Sequence, residues 1–127
     1  MANVRIDQNG VPKGPTYDFT TPAVHRSAVT VFDASDPTSA AAGVDCAGYQ
    51  YCRLDVEITG TGFTSLDVQL LYWNSRQSKW FGGASRQFAA TGRYALAVPD
   101  ARGAILYLKV TAFSGTSFAL NADCCLS

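Results

Sequence analysis

Residues able to do chemistry are few in this chain, and their spacing does not assemble an active site. His25 is the only histidine, and it stands just after Pro22 at the end of a stretch rich in proline and glycine. A nucleophilic triad needs its histidine packed between a hydroxyl or thiol and an orienting carboxylate. No Gly-x-Ser-x-Gly elbow presents such a nucleophile, so a surface or interface histidine is the simpler expectation. Glu57 is the only glutamate. A hydrolase working with two carboxylates would have to draw on the aspartates, and no two of them stand out. Phosphate-cradling glycine loops and calcium loops are absent from the sequence. The expectation is a protein that is not an enzyme and carries no cofactor.

The four cysteines, Cys46, Cys52, Cys124 and Cys125, raise the question of metal or disulfide chemistry. Structural zinc sites favour cysteines two to four apart, and an adjacent pair such as Cys124 and Cys125 chelates one ion poorly. Cys52 falls on the apolar side of an alternating segment, where a thiol behaves as a small apolar group. Buried free thiols are therefore expected, with a disulfide as the next reading and zinc the last. The first residues show no apolar h-region and no cleavage pattern, which predicts synthesis in a reducing cytoplasm.

Whatever positions these side chains is built from strands. In "YCRLDVEIT", Cys52, Leu54, Val56 and Ile58 point one way and Arg53, Asp55, Glu57 and Thr59 the other. The same period places Tyr94, Leu96 and Val98 on one face of "GRYALAV". It aligns Leu106, Leu108 and Val110 in "AILYLKVTAF", and Phe118, Leu120 and Ala122 in "SFALNA". "SAVTVFD" reads as a further short strand. Turn signals separate them at residues 60–62, 82–83, 91–92, 99–103 and 114–115. The pattern predicts an all-β fold, an antiparallel β-sandwich of which the jelly roll is one form. Residues 1–26 hold Pro12, Pro15 and Pro22 with Gly10 and Gly14, a density that biases the chain to extended forms. They are expected to form an extended N-terminal arm lying against a neighbouring chain, with residues 27–127 as the sandwich domain.

"LDVQLLYWNSRQSKWFGG" holds the only two tryptophans. Leu66, Val68, Leu70 and Tyr72 form one face of its strand; Asp67, Gln69, Leu71 and Trp73 form the other, polar at first and apolar at the end. A strand covered on one side alone would stay polar, so something covers Leu71 and Trp73: the opposite edge of the sandwich, the arm or another subunit. Tyr72, Trp73, Trp80 and Phe81 would be the platform of a carbohydrate-binding module, but the turn between the tryptophans has no acidic residue to hold sugar hydroxyls. Ten basic residues balance ten acidic ones. That removes the electrostatic footprint of a nucleic-acid or anionic-membrane binder, and so low a charge suits a subunit that remains docked.

The succession of "VDCAGYQYCRLDVEITGTG", "LDVQLLYWNSRQSKWFGG" and "ATGRYALAVPDARGAILYLKVTAFSGTSFALNA" resembles a pattern in small virion proteins of tailed bacteriophages. It spans residues 44 to 122, with the departure that Asn74, Ser75, Arg76 and Gln77 replace a Ser-Asn-Asp-Gly turn. The resemblance implies a β-sandwich accessory protein of a phage particle. As a head decoration (cement) protein it would bind across major capsid subunits; the alternatives are a neck, tail or fibre component, or a carbohydrate-recognition sandwich at a fibre tip. It implies virion structural proteins as partners and a homo-oligomer such as a trimer, without nucleic acid or membrane. Arg53, Asp55, Glu57, Leu71 and Trp73 are the residues expected to meet the partner.

Overall fold

The computed structural model describes residues 23–127. They form eight strands: β1 (Ala23–Val29), β2 (Val44–Asp45), β3 (Cys52–Thr59), β4 (Phe63–Asn74), β5 (Lys79–Phe88), β6 (Gly92–Val98), β7 (Ile105–Gly115) and β8 (Ala119–Leu126), with one 3-10 turn at Ala40–Ala42. The fold is all-β. Two antiparallel four-stranded sheets, in the orders β1-β8-β3-β6 and β2-β7-β4-β5, enclose one apolar core in a sandwich-like arrangement.

Alternation in the sequence becomes alternation in burial. Along β3, Cys52, Leu54, Val56 and Ile58 are buried, while Arg53 and Thr59 are exposed and Asp55 and Glu57 half-buried. Leu66, Val68 and Leu70 of β4, Leu106, Leu108 and Val110 of β7, and Phe118 and Leu120 meet them from the other elements. Each such side chain contributes about 1.5–3 kcal/mol when withdrawn from water. Val98 is buried as its parity demands, but Tyr94 and Leu96, on the same face of β6, are only half-buried. The core is therefore incompletely closed along β6. All four cysteines are buried free thiols.

Three expectations change. The "GG" pair at 82–83 is no turn: it lies inside β5, at a register shift where β4 advances from Gln69 to Leu71 while β5 passes from Ser85 to Gly82. Glycine in a strand interior is as much a bulge signal as a turn signal, and here the bulge prevails. A Cβ on Gly83 would stand 2.4 Å from Cε2 of Tyr72, so the small residue also makes room for that ring. The strand expected at "SAVTVFD" begins four residues earlier and stops at Val29, because Ala28 adopts a left-handed φ of 54° and interrupts the period. Val31 and Phe32 are left 68% and 58% exposed beyond it. Finally, residues 23–26 of the expected arm pair with β8, Ala23 opposite Cys124 and Arg26 opposite Ala122; residues 1–22 lie outside the described residues.

Candidate interaction site

The outer face of the β2-β7-β4-β5 sheet explains the two tryptophans. Leu71 lies in register between Gly82 and Tyr107, and Trp73 opposite Trp80. Trp73 and Trp80 meet edge-on at 5.2 Å, and Trp80 packs at 5.7 Å from Tyr107. The chain segment between β1 and β2 straps over this layer. Lys109 donates to Asp36 at 2.9 Å. Gly43 comes so near that an added Cβ would stand 2.7 Å from Trp80 Cη2 and 2.5 Å from the Leu106 carbonyl oxygen. Leu71 is consequently 2% exposed and Trp80 7%, and Trp73 is half-buried. The cover that Leu71 requires is supplied within the described chain itself.

Arg53, Asp55 and Glu57 lie on the outer face of the other sheet. Arg53 binds Asp55 through two nitrogens, at 2.8 and 3.0 Å, and Arg93 of β6 donates to Glu57 at 2.8 Å. These pairs hold Arg53 and Arg93 above the usual guanidinium range, hydrogen bonds to the carboxylates being the main cause. Asp123 stands directly opposite Asp55 across β8 and β3, and the Cys125 thiol sits 3.5 Å from the Asp55 carboxylate. The five expected contact residues thus divide between opposite faces of the molecule, three on one and two on the other. No single flat partner meets both sets.

The lateral edges of the sandwich differ more than its faces do. On the β1/β2 side, β2 pairs with β7 only at Leu106 and Ile105, which would leave the next main-chain groups of β7 open. Side chains close them. Leu108 N–H donates to Nε2 of His25, and Arg26 donates to the Leu108 carbonyl at 2.9 Å. Val110 N–H donates to the Asp33 carboxylate at 2.9 Å, while Asp33 N–H donates to the Val110 carbonyl at 2.6 Å. Arg26 and Asp33 join each other through two contacts of 3.3 Å, and Arg26 stacks 4.6 Å above Tyr107. Burial, with the Arg26 charge in support, lowers the His25 pKa to about 4. The histidine is neutral at ordinary pH and accepts the Leu108 N–H.

On the β5/β6 side nothing comparable is found among the described residues. Between the two edge strands opens a slot of about 190 Å³ with a mostly apolar lining that includes Val68, Leu70, Ala84, Arg86, Leu96 and Leu108. Pro99 also lines it, and its carbonyl accepts from the Tyr72 hydroxyl at 2.6 Å. The guanidinium of Arg86 lies 5.1 Å above the Phe88 ring, which packs 4.5 Å from Tyr94. The β5 edge is broken by its bulge, but β6 keeps regular register with β3 from Gly92 to Val98. Its exposed residues are Arg93, Ala95 and Ala97. Edge strands are commonly guarded by lysine, proline or a covering loop; β6 has two alanines instead.

Among the described residues no three His, Cys, Asp or Glu side chains converge as a metal-binding group. Comparison with protein-family models, with curated proteins and with solved structures returns no match to this chain. Sequence reading overlooked the sealing trio His25, Arg26 and Asp33, since two residues in β1 and one in the loop after it share no periodic pattern. The open edge did leave a trace: "GRYALAV" offers only alanine and one arginine on its outward side.

Proposed function

We propose that this chain is a structural accessory protein of a virion, a head decoration protein binding across major capsid subunits, with its two sheets wound as a jelly roll. The jelly-roll reading is supported by the pairings β1 with β8, β2 with β7, β3 with β6 and β4 with β5. They are the pairings of one long antiparallel hairpin rolled over on itself. Jelly rolls recur in viral capsid and lectin domains. That is analogy of fold, and the site must carry the function.

The observation that carries it is the open lateral side. A strand of a neighbouring virion protein adds to the free edge of β6 and places an apolar side chain in the slot, the mode of recognition that strand addition uses. The same surface serves a homo-oligomer, such as a trimer, in which one copy supplies the strand to the next. Binding to the assembled shell alone adds free energy to that state, and many copies need only modest interfaces to have effect. The carbohydrate reading loses support because Trp80 is buried, and because Tyr72 and Phe81 pair in register on the face opposite Trp73. The test is to heat particles assembled with and without this chain. Earlier melting and genome release without it is expected. Equal melting overturns head decoration and leaves the neck or tail position.

A further inference from the structure

On the sealed side, Val31 and Phe32 follow β1 and are exposed. The segment that carries them is pinned at both ends. Ala28 N–H donates to the Asn121 side chain at 2.7 Å, and Asp33 is bonded to Val110 in both directions, at 2.6 and 2.9 Å. The two apolar side chains are thus held out as a projection, and a preset shape lowers the ordering cost of binding. The slot between β5 and β6 lies on the opposite lateral side. At about 190 Å³ it is on the scale of an apolar cavity of about 150 Å³ that takes up benzene, so one phenyl ring fits it. Arg86 stands opposite the inward residue Val68, yet it is exposed. Among the described residues no carboxylate pairs with it.

We infer that Phe32 of one copy of this chain enters the β5/β6 slot of the next, with Val31 beside it, so that copies associate head to tail. This rests on the proposed docking role of the open side, and the occupant is a second copy. Charge favours that occupant. Residues 30–43 carry Asp33 and Asp36 and no basic residue, whereas β5 carries Lys79 and Arg86 and no acidic one. The Asp36 side chain, 45% exposed beside Lys109, keeps a solvent-facing side for Arg86 of the next copy. A guanidinium that already stacks on Phe88 stacks on an entering phenyl ring by the same attraction.

Projection and slot occupy opposite sides, so each copy gives one contact and receives one. Contacts of this kind repeat, closing a ring where the rotation permits and running on as a chain where it does not. Phe32 supplies about 150–250 Å² when buried, a fraction of the roughly 800 Å² per partner in a stable interface. Isolated chains therefore associate weakly, and copies gathered on one assembly gain from their shared attachment.

Sedimentation velocity over a concentration series measures the association of the full chain in the absence of particles. The parent protein should form oligomers as its concentration rises. Phe32→Asp removes the projection, and Ala84→Glu sets a carboxylate in the slot lining. Both positions are exposed, so both variants should fold as the parent does. Each alone should associate at least about thirtyfold more weakly. Mixed in equal amounts, they should form a one-to-one dimer that grows no further, since one intact projection meets one intact slot. A parent protein that stays monomeric at every concentration overturns the inference, as it would if residues 1–22 filled the slot of their own chain. Unchanged association of Phe32→Asp overturns it too, and so does a mixture that remains monomeric beside an associating parent. Head decoration is judged separately, by the melting of particles. A monomeric chain that still stabilises particles refutes the head-to-tail contact alone.

Discussion

The two lateral edges of the sandwich are made from the same kind of strand and end differently. On the β1/β2 side, His25, Arg26 and Asp33 satisfy the main-chain groups of Leu108 and Val110 that strand pairing leaves over. On the β5/β6 side the strand β6 is regular, lightly guarded and only half-covers its own apolar residues Tyr94 and Leu96. An edge sealed by a charged cluster is protected against adventitious pairing, and the opposite edge has no such protection. The contrast supports the proposed addition of a partner strand at β6. Leu108 joins the two edges: its main chain is held by the sealed side, and its side chain lines the slot of the open one.

For that reason Leu108→Ala should have the largest effect. The side chain is 1% exposed, and its truncation should cost about 3–5 kcal/mol through lost burial and a residual cavity. Denaturant unfolding measures this directly. A loss below about 1 kcal/mol would mean that the sheets close over the gap and that the slot is not held open by packing.

Acid should act next, and on the sealed side alone. His25 has a folded pKa of about 4 against an ordinary 6.5, so between those values the unfolded chain binds the additional proton. Stability from this group is therefore complete above pH 6.5 and is lost as pH falls towards 4, by on the order of 3 kcal/mol. A proton on Nε2 also removes the acceptor of Leu108 N–H, and the Arg26 charge disfavours it further. His25→Gln keeps an acceptor without titrating, so its stability curve should lack this component while retaining that of the carboxylates. Parallel curves for the two proteins would show that His25 does not seal the edge.

Arg26→Ala should follow. It strips a hydrogen bond from Leu108 and leaves Asp33, whose side chain is 17% exposed, without its ion-pair partner. A cost of about 2 kcal/mol is expected. Arg86→Ala on the open side, by contrast, should remain within about 0.5 kcal/mol of the parent protein. Equal losses at the two positions would erase the distinction between the edges.

Much of the sealed and open architecture was legible one strand at a time. Period-2 alternation identified the inward faces of β3, β4 and β7 because every second residue there is Leu, Val or Ile, and it placed Cys52 inward for the same reason. It failed where the backbone departs from the period. Ala28 turns left-handed inside β1, and Gly82 and Gly83 lie at a bulge rather than at a turn. The apolar outer face of β4 correctly demanded a cover for Leu71, but not which segment provides it. The strap's hold depends on Asp33, Asp36 and Gly43 meeting residues of β5 and β7, and no local pattern announces contacts so distant in sequence. The expected contact residues share only outward parity within two strands. Parity cannot tell that the two strands belong to different sheets, and Leu71 and Arg53 fell on opposite faces as a result.

The smallest effect on stability should decide most about the open edge. Ala95 is exposed on β6, opposite Asp55, and lines the slot. Ala95→Lys places a charge on a solvated edge without touching the core, so the unfolding midpoint should be nearly unchanged. Lysine on an edge strand opposes the addition of another strand, and attachment to particles should fall at least tenfold. Arg53→Ala provides the counterpart: it removes the exposed Arg53–Asp55 pair from the charged face, and exposed pairs contribute little, so both stability and attachment should persist. Sedimentation of particles with each variant measures the outcome. Detachment by Arg53→Ala with normal binding of Ala95→Lys would move the contact to the charged face of β3 and leave the free edge of β6 without a role.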